Sequence, residues 1–315
     1  MTKITPSLFL AILLGLSLHV VSAQAQYIRT CVSANGDDAN TCHCTQPCRT
    51  LTRAHLQTLS DGEITVLDPG SYGPVLIKKS ISIVNDGVGE ASIAVTDAST
   101  GITINAPPGG YVNLRGLTIQ GVGVGGNGLT FNTGFSLTMT NCVIRNLTGF
   151  GIVFQPNASS NLSVSNTLVA DNGQSAIVVQ PSGAGTVKAV FNRVEVYNNS
   201  FVGIWLIGSF STGTIKGMVA DSVAGNNSGA GFAVTSTSGK AATSLMVVRS
   251  EAANNGAGIS VDGSPAVLRI GQSTVTGNGA SWSAPNGGGL RSYGDNNIDG
   301  NGDGDPAIPT VIPKK

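Results

Sequence analysis

The segments VADSVAGNN at residues 219–227 and VVRSEAANN at residues 247–255 are two copies of one pattern that recurs along the chain. Five further copies align with them between residues 113 and 278, and their turn residues follow at intervals of 25, 25, 27, 28, 28 and 23. A period in this range is typical of a solenoid, in which each repeat buries its apolar face only against its neighbours. The turn residues are Gly116, Asn141, Asn166, Arg193, Asp221, Arg249 and Gln272.

Within each copy, apolar and polar residues alternate with the period of two that is typical of a β-strand. A further strand-like segment follows each Asn-rich turn, with apolar pairs such as Ile204/Leu206 and Ile259/Val261. Because the same columns recur in the same chain direction, equivalent strands should pair in parallel. The sequence therefore predicts an all-β fold, a single-stranded parallel β-helix with three short strands per rung and rungs ~4.8 Å apart.

The turn after the first strand pattern is rich in asparagine. Its first position holds Asn198, Asn226 and Asn254, and the next position holds Asn172, Asn199, Asn227, Asn255 and Asn278. Asparagine tolerates the left-handed backbone that a sharp turn needs, and stacked amides can hydrogen-bond along the axis of a solenoid. We therefore expect an asparagine ladder.

The two ends of the chain differ from the repeats. Residues 1–25 read as a secretory signal, with Lys3, an apolar run and the small-x-small site Ala23–Ala25. The alternative is a membrane anchor, but the apolar run is short for a span. We expect a secreted, periplasmic or cell-envelope protein without a membrane span in the mature chain. Its parts are an N-terminal cap (26–62), the β-helix (63–301) and an Asp/Pro-rich tail (302–315) that leaves the coil.

The predicted cap contains one short helix and a cysteine cluster. The helix covers 49–58, with Leu51, Ala54 and Leu59 on its apolar face. In an exported chain four clustered cysteines indicate two disulfides, and a zinc site is the alternative. The sequence does not decide the connectivity, and Cys42–Cys48 with Cys31–Cys44 is a guess. The clustered cysteines are Cys31, Cys42, Cys44 and Cys48.

The chain resembles secreted right-handed parallel β-helix repeat proteins of the pectate-lyase-like superfamily, over roughly residues 49–301. The resemblance rests on GEITVLDPGSY at 62–72, the Asn-rich turns and Asn-Gly-x-Gly-Ile openings such as 254–259. It is closest to bacterial members that carry no agreed activity, and it implies the right-handed coil. Members of this superfamily that are enzymes act on polysaccharides as lyases, hydrolases or epimerases, and others are adhesins or phage tail components. Fold therefore does not fix function.

Charge and histidine content restrict the chemistry. The chain has 17 basic and 17 acidic residues, with no long basic run, so we expect no nucleic acid partner. Its histidines are His19, His43 and His55, all outside the repeats, so a Ser-His-Asp or Cys-His system within the coil is unavailable. Cys142 falls in an inward column and reads as a buried small residue rather than a nucleophile.

One charged cluster lies on three adjacent rungs. Arg193, Asp221 and Arg249 share the turn column, and Glu195 and Glu251 stand two residues later. As catalytic residues, an acid pair such as Glu195 and Asp221 would act on a glycosidic bond, for which carboxylates ~5–9.5 Å apart are needed. The resemblance implies a second possibility, in which an arginine is the base of a lyase. The simpler interpretation is a salt-bridge ladder between rungs.

Aromatic residues follow the same cluster. Trp205 alternates with inward Ile204 and Leu206, so it should point outward and, with Tyr197, could stack on a sugar. The alternative is a Trp205 ring folded under its own loop. Trp282 falls in the column of Ile259 and should plug the C-terminal end.

The segment DNNIDGN at 295–301 aligns with QSTVTGN at 272–278 and predicts a last rung. Asp299, Asp303 and Asp305 remain as calcium candidates, although a full calcium loop would need a glutamate where Thr310 stands. We predict no other cofactor.

The sequence thus favours a non-catalytic exported scaffold that binds a glycan or a cell-surface partner. Two alternatives stay open. One is a polysaccharide-active enzyme, a lyase or glycoside hydrolase, that uses the charged cluster. The other is a structural or adhesive rod.

Overall fold

A computed structural model describes residues 26–308 and 310–314. The predicted signal segment, residues 1–25, lies outside the described residues. From Tyr27 to Ile298 the chain winds into a coil of parallel strands. Each full turn contributes one strand to each of three columns, which we call the first, second and third columns in chain order. The prediction of an all-β solenoid with three strands per rung is confirmed.

The first column contains β1 (Tyr27–Val32), β2 (Thr58–Val66), β5 (Ile81–Val84), β8 (Tyr111–Arg115), β11 (Ser136–Thr140), β18 (Thr214–Ala220), β21 (Ala242–Val248), β24 (Ala266–Gly271) and β27 (Gly289–Ser292). The second contains β3 (Gly70–Ser71), β6 (Ala91–Val95), β9 (Leu117–Gly121), β12 (Val143–Arg145), β19 (Val223–Gly225), β22 (Glu251–Ala253), β25 (Thr274–Thr276) and β28 (Asn297–Ile298). Two long strands, β14 (Ser160–Ala170) and β16 (Thr186–Tyr197), run through both columns.

The third column contains β4 (Val75–Ile77), β7 (Ile102–Asn105), β10 (Leu129–Thr133), β13 (Ile152–Phe154), β15 (Ile177–Val179), β17 (Ile204–Ile207), β20 (Ala230–Thr235), β23 (Ala257–Asp262) and β26 (Ala280–Ser283). Among the described residues, the first two columns form one 19-stranded sheet and the third forms a 9-stranded sheet.

Apolar side chains fill the coil from end to end. The inward residues of successive rungs stand in register, as where Ile204 pairs with Phe232 and Phe232 pairs with Ile259. These residues are fully buried, and the rings of Phe131 and Phe154 stack with centroids 4.4 Å apart. Each rung therefore buries its apolar face on the rungs before and after it.

Two sharp bends shape each rung, and both use left-handed backbone. The bend between the first and second columns has φ between 47° and 70° at the seven turn residues from Gly116 to Gln272. The bend after the second column has φ between 55° and 58° at Asn146, Asp171, Asn198, Asn226 and Asn254. Asparagine and aspartate adopt this conformation more readily than most residues, which explains their recurrence.

A buried asparagine ladder runs along the inside of the second bend, as expected. The Nδ2 of Asn199 donates to the Oδ1 of Asn227 at 2.9 Å, and the Nδ2 of Asn227 donates to the Oδ1 of Asn255 at 2.9 Å. The ladder begins at Asn172 and continues through Asn278 to Asn301. Each Oδ1 also accepts from the backbone N–H of the preceding rung, so the ladder satisfies polar groups that the coil buries.

The N-terminal cap is more integrated with the coil than predicted. Strand β1 pairs in parallel with β2, so the first column begins at Tyr27 rather than at residue 63. The helix α1 is Leu51–Gln57, and Thr50 caps it by accepting from the N–H of Arg53. The helix is shorter than the predicted 49–58, and Leu59 is an exposed residue of β2 instead of a member of the helix face.

The four clustered cysteines form two disulfides, Cys31–Cys44 and Cys42–Cys48, which is the pairing guessed from the sequence. A zinc site is incompatible with this pairing, because every sulfur of the cluster is used. Leu51 and Ala54 of α1 are buried and join the core cluster that contains Ile64. The cap therefore closes the N-terminal end of the apolar coil.

The C-terminal end closes with a last partial rung and a returning tail. Strand β28 pairs with β25 in the register predicted from DNNIDGN, with Ile298 beside Val275. Trp282 pairs with Ile259 as expected, packs against the core and donates from Nε1 to the carbonyl of Pro306 at 2.8 Å.

The prediction that the tail leaves the sheet is wrong. Ser292 of β27 donates its N–H to the carbonyl of Thr310 at 2.9 Å, and the carbonyl of Ser292 accepts from the N–H of Ile312 at 2.8 Å. The tail therefore adds one parallel bridge to the free edge of β27. Proline lacks the N–H that such a bridge needs, but the tail residue that donates its N–H to this bridge is Ile312 and not one of the neighbouring prolines. Among the described residues there is no helix with the length and apolarity to cross a membrane.

Candidate functional site

The charged turn residues form pairs between rungs. Arg249 contacts Asp221 on the preceding rung, with Nε to Oδ1 at 2.8 Å and Nη2 to Oδ2 at 2.9 Å. Arg193 donates instead to the Oδ1 of Asn166, one rung earlier, at 2.5 Å. Of the salt-bridge ladder expected from Arg193, Asp221 and Arg249, the Asp221–Arg249 pair therefore forms, whereas Arg193 contacts an asparagine instead of Asp221.

The ion pair determines the protonation of its members. The hydrogen bond from Arg249 and its charge hold the pKa of Asp221 below the usual range, and Asp221 in turn raises the pKa of Arg249. A general acid needs a raised carboxyl pKa and a base needs a lowered guanidinium pKa. The raised pKa of Arg249 runs opposite to the role of a lyase base, whereas the lowered pKa of Asp221 opposes the role of a general acid but suits an ionised base or nucleophile.

Glu195 and Glu251 lie in the second column, two rungs apart. Val223 stands between them in register, so their Cα atoms are separated by about two rung spacings, ~10 Å. The Tyr197 ring lies over Gly225, where an added Cβ would come within 3.0 Å of the ring. Burial, followed by the charges of Glu195 and Glu251, raises the pKa of Tyr197.

Trp205 belongs to a different sheet from Tyr197. It lies on the outer face of β17, as predicted, but its ring is half-buried and rests on the surface. Its Nε1 donates to the Oγ1 of Thr235 at 3.0 Å, and its ring meets the Phe201 ring edge to face at 5.3 Å. The ring packs between two small apolar clusters, one containing Val178 and the other containing Ala233. The ring is therefore fixed in one position.

An open trough of about 390 Å³ begins at this ring. In the third column Trp205, Ala233, Ser260 and Ser283 stand in register on four successive rungs, and all four line the trough. Because small residues follow the tryptophan, the surface drops away beside the ring. The rim includes Phe201, Asp262 and Pro285. Sequence reasoning found Trp205 but missed the trough, although the register of Ala233 and Ser260 behind Trp205 is visible in the third-strand pattern.

The remaining candidates have structural roles. Cys142 is buried, burial raises the pKa of its thiol, and it is the free cysteine of the described chain. Asp303 accepts from the N–H and Oγ of Ser281, and Asp305 accepts from the N–H groups of Gly300 and Asn301. Within residues 26–308 and 310–314, no group of three or more His, Cys, Asp or Glu side chains is placed to hold a metal ion.

A family model described as the right-handed β-helix region matches residues 64–219. The chain has the right-handed parallel β-helix fold that this model describes. Two solved structures of pectate-lyase-like fold agree with this assignment. The β-helix superimposes on pectate lyase Pel9A with a TM-score of 0.50 and 15% identity, over 90% of this chain and 82% of that one. It superimposes on a rhamnogalacturonan lyase with a TM-score of 0.51 and 15% identity, over 79% and 76%.

These similarities establish the shared fold of the β-helix. No curated protein matches its sequence. At 15% identity these structures indicate the fold, and the function has to be inferred from the residues of this chain.

Proposed function

We propose that this β-helix is a non-catalytic scaffold that binds a glycan, with the trough beside Trp205 as its contact surface. The observation that carries the proposal is the fixed Trp205 ring at one end of an open, axial row of small residues. An aromatic ring that is held in place loses little conformational entropy when a ligand binds, and its apolar face suits the C–H face of a sugar.

The dimensions and polarity of the trough fit an oligosaccharide. Three rung spacings separate Trp205 from Ser283, about 14 Å, which is sufficient for a short sugar chain along the axis. Ser260 and Ser283 can exchange hydrogen bonds with hydroxyl groups, and Asp262 can accept them. Asp262 also accepts from the Nδ2 of Asn286 at 2.8 Å, which orients its carboxylate at the rim.

The charged cluster of Arg193, Glu195, Asp221, Arg249 and Glu251 gives less support to the alternative of a polysaccharide-active enzyme. Asp221 and Arg249 are engaged with each other in an ion pair, and the raised pKa of Arg249 disfavours its use as the base of a lyase. Glu195 and Glu251 are separated by a full intervening rung.

We also propose that the protein acts outside the cytoplasm. Its two disulfides suit an oxidising compartment, and the polysaccharide lyases that share its fold are consistent with a polysaccharide ligand in that setting.

A binding and product assay tests the proposal. The mature protein is incubated with neutral and uronate-containing oligosaccharides, with and without calcium, and both binding and reaction products are measured. We expect binding without new reducing ends or unsaturated products. Trp205→Ala should abolish binding, and Ser260→Trp, which fills the trough from an outward position, should do the same.

Phe210→Ala is the matched control, because Phe210 is an exposed aromatic residue that does not line the trough. An unchanged melting temperature would show that each variant is folded. Products that disappear in Asp221→Asn or Arg249→Ala would overturn the proposal in favour of an enzyme. Absence of both binding and products would favour the rod.

A further inference from the structure

A second groove, of about 640 Å³, lies at the C-terminal end of the coil. It covers the outer face of β21, β24 and β27 in the first column, and the returning tail forms its opposite wall. Its lining includes Met246, Arg269, Arg291, Tyr293, Ile312 and Lys314. The groove is formed by different strands and a different sheet from the Trp205 trough.

Two arginines stand side by side in this groove. Arg269 and Arg291 are Cα partners on adjacent rungs, and the alternation with buried Leu268, Ile270 and Leu290 directs both outward. Both are half-buried. Within the described part of the chain neither guanidinium makes an ion pair or a side-chain hydrogen bond, in contrast to Arg249, Arg193 and Arg115.

The acid in the groove is already neutralised. Asp295 forms an ion pair with Lys314, with Nζ to Oδ2 at 2.7 Å, and its Oδ1 accepts from the N–H of Gln272 at 3.1 Å. The Lys314 ammonium group lowers the pKa of Asp295 and burial raises it, and the net result is a lowered pKa. Among the described residues, Arg269 and Arg291 are therefore left as a pair of positive charges without a counter-ion.

The shape of the groove depends on the tail and on one glycine. Tyr293 lies with its ring over Gly271, where an added Cβ would come within 3.0 Å of the ring. The bridge between Ser292 and Val311 holds the tail beside β27, and the Lys314–Asp295 contact ties its end to the turn column. The groove thus has an arginine-lined side, an aromatic floor and a polypeptide wall.

We propose that this groove binds an anionic ligand that carries two oxyanion groups about one rung apart, ~5 Å. Guanidinium groups bind carboxylate and sulfate oxygens through paired hydrogen bonds, and two of them on adjacent rungs present matching sites. Carboxylates and sulfate esters share this chemistry, and the sugar rings or carbon chain between them would lie on Met246 and Tyr293. The site does not rest on the proposed function of the Trp205 trough.

Titration calorimetry of the full mature protein tests the site. The probes are a tetragalacturonate, a chondroitin sulfate tetrasaccharide and the uncharged cellotetraose. At least one anionic probe should bind, with affinity that falls as salt is raised, and the acid group of the probe that binds identifies the source of the oxyanions. Arg269→Ala with Arg291→Ala should weaken binding by about 100-fold, roughly tenfold for each arginine.

Lys188→Ala with Lys216→Ala is the matched control. These two exposed lysines are also Cα partners on adjacent rungs of the first column, but they do not line the groove. The control should change affinity by less than about twofold, since exposed charges outside a site contribute little. Equal losses in the two double variants would overturn the proposal, because adjacent cations alone would then account for binding. Failure of both anionic probes to bind the unaltered protein would also overturn it.

Two further variants separate this site from others. Arg269→Lys with Arg291→Lys keeps the charge but removes the planar fork, and it should lose an intermediate, roughly tenfold, part of the affinity. Trp205→Ala should leave anion binding at the groove unchanged. If Trp205→Ala abolishes it, the anionic probe occupies the trough instead and the groove proposal fails.

Discussion

Asp221 and Arg249 face each other across adjacent rungs through two hydrogen bonds of 2.8 and 2.9 Å, while both residues keep left-handed backbone with φ of 52° and 47°. The side-chain pair is exposed, whereas the backbone conformation is required of every residue in this column. Exposed ion pairs contribute little to folding, but left-handed backbone is costly for a β-branched residue. The bend should therefore depend more on backbone compatibility than on charge.

We expect Asp221→Asn to leave the melting temperature nearly unchanged, because asparagine adopts the left-handed conformation readily. Asp221→Val should lower it by several degrees, because the branched Cβ disfavours that conformation. Thermal unfolding followed by circular dichroism measures both. A larger loss for the asparagine variant than for the valine variant would show that the ion pair matters more than the bend.

The asparagine ladder should be far more important for stability. Asn227 is 1% exposed, and its removal takes the side-chain acceptor from the N–H of Asn199, one acceptor from the Nδ2 of Asn199 and a donor from the carbonyl of Val196. Asn227→Ala should cost about 3–5 kcal/mol of unfolding free energy, because several buried polar groups lose their partners together. Asn157→Ala, at an exposed asparagine outside the ladder, should change it by at most about 0.5 kcal/mol. Urea unfolding of the two variants gives the comparison, and similar costs would contradict the role of the ladder.

The periodic part of the molecule could be predicted from the sequence because its physics is local and repeated. A left-handed bend selects asparagine or glycine at one position, and an inward strand face selects apolar residues at alternate positions. Seven aligned turn residues therefore predicted the register of strands as far as Ile298 beside Val275. The same reasoning placed the amides of Asn199 and Asn227 in one stack.

Features that occur once could not be predicted in this way. The bridge between Ser292 and Val311 depends on a tail with no second copy to align. The end of α1 and the exposure of Leu59 depend on where β2 begins to pair. The Arg269 and Arg291 pair is predictable from the sequence, because the two residues hold the same strand position on successive rungs.

The free energy of unfolding should decrease as the pH is lowered, because of one buried histidine. Burial, with the charges of Lys79 and Lys78, lowers the pKa of His55 from its usual 6.5 to about 4. Its Nε2 accepts from the N–H of Lys78 at 3.2 Å, which requires the neutral ring. As the pH falls, the histidine of the unfolded chain takes up a proton before the buried His55 does. The stabilisation from the neutral, buried ring is therefore complete above pH 6.5 and is lost as the pH falls from 6.5 towards 4.

Melting temperatures at intervals between pH 7.5 and pH 4.5 test this prediction. The unaltered protein should lose stability over the range, whereas His55→Gln, which retains an acceptor but does not titrate, should show a flatter profile. Parallel profiles for the two proteins would assign the pH dependence to other groups. His43, the other histidine of the described residues, is present in both proteins.

The final rung should depend on Asp305 rather than on calcium. The Oδ1 of Asp305 accepts from the N–H of Asn301 at 3.0 Å and from its Nδ2 at 2.7 Å, so this carboxylate ends the ladder. Asp305→Ala should increase hydrogen exchange at Gly300 and Asn301, because their N–H groups lose their acceptor. Glu90→Ala, at an exposed acid elsewhere, should not. Calcium or a chelator should leave the melting temperature unchanged, and a rise with calcium that disappears in Asp305→Ala would show a cation site.

Because successive rungs repeat one register, the number of turns in this molecule is independent of the structures that close its two ends. Residues 222–249 comprise one complete 28-residue turn between equivalent positions, and the ladder contacts of that turn repeat those of its neighbours. A tandem duplication of this segment would insert one more turn while leaving the disulfide-linked cap and the returning tail as they are. Proteins of this design can thus grow in the gene by whole turns, and the exposed face available to a partner grows with them.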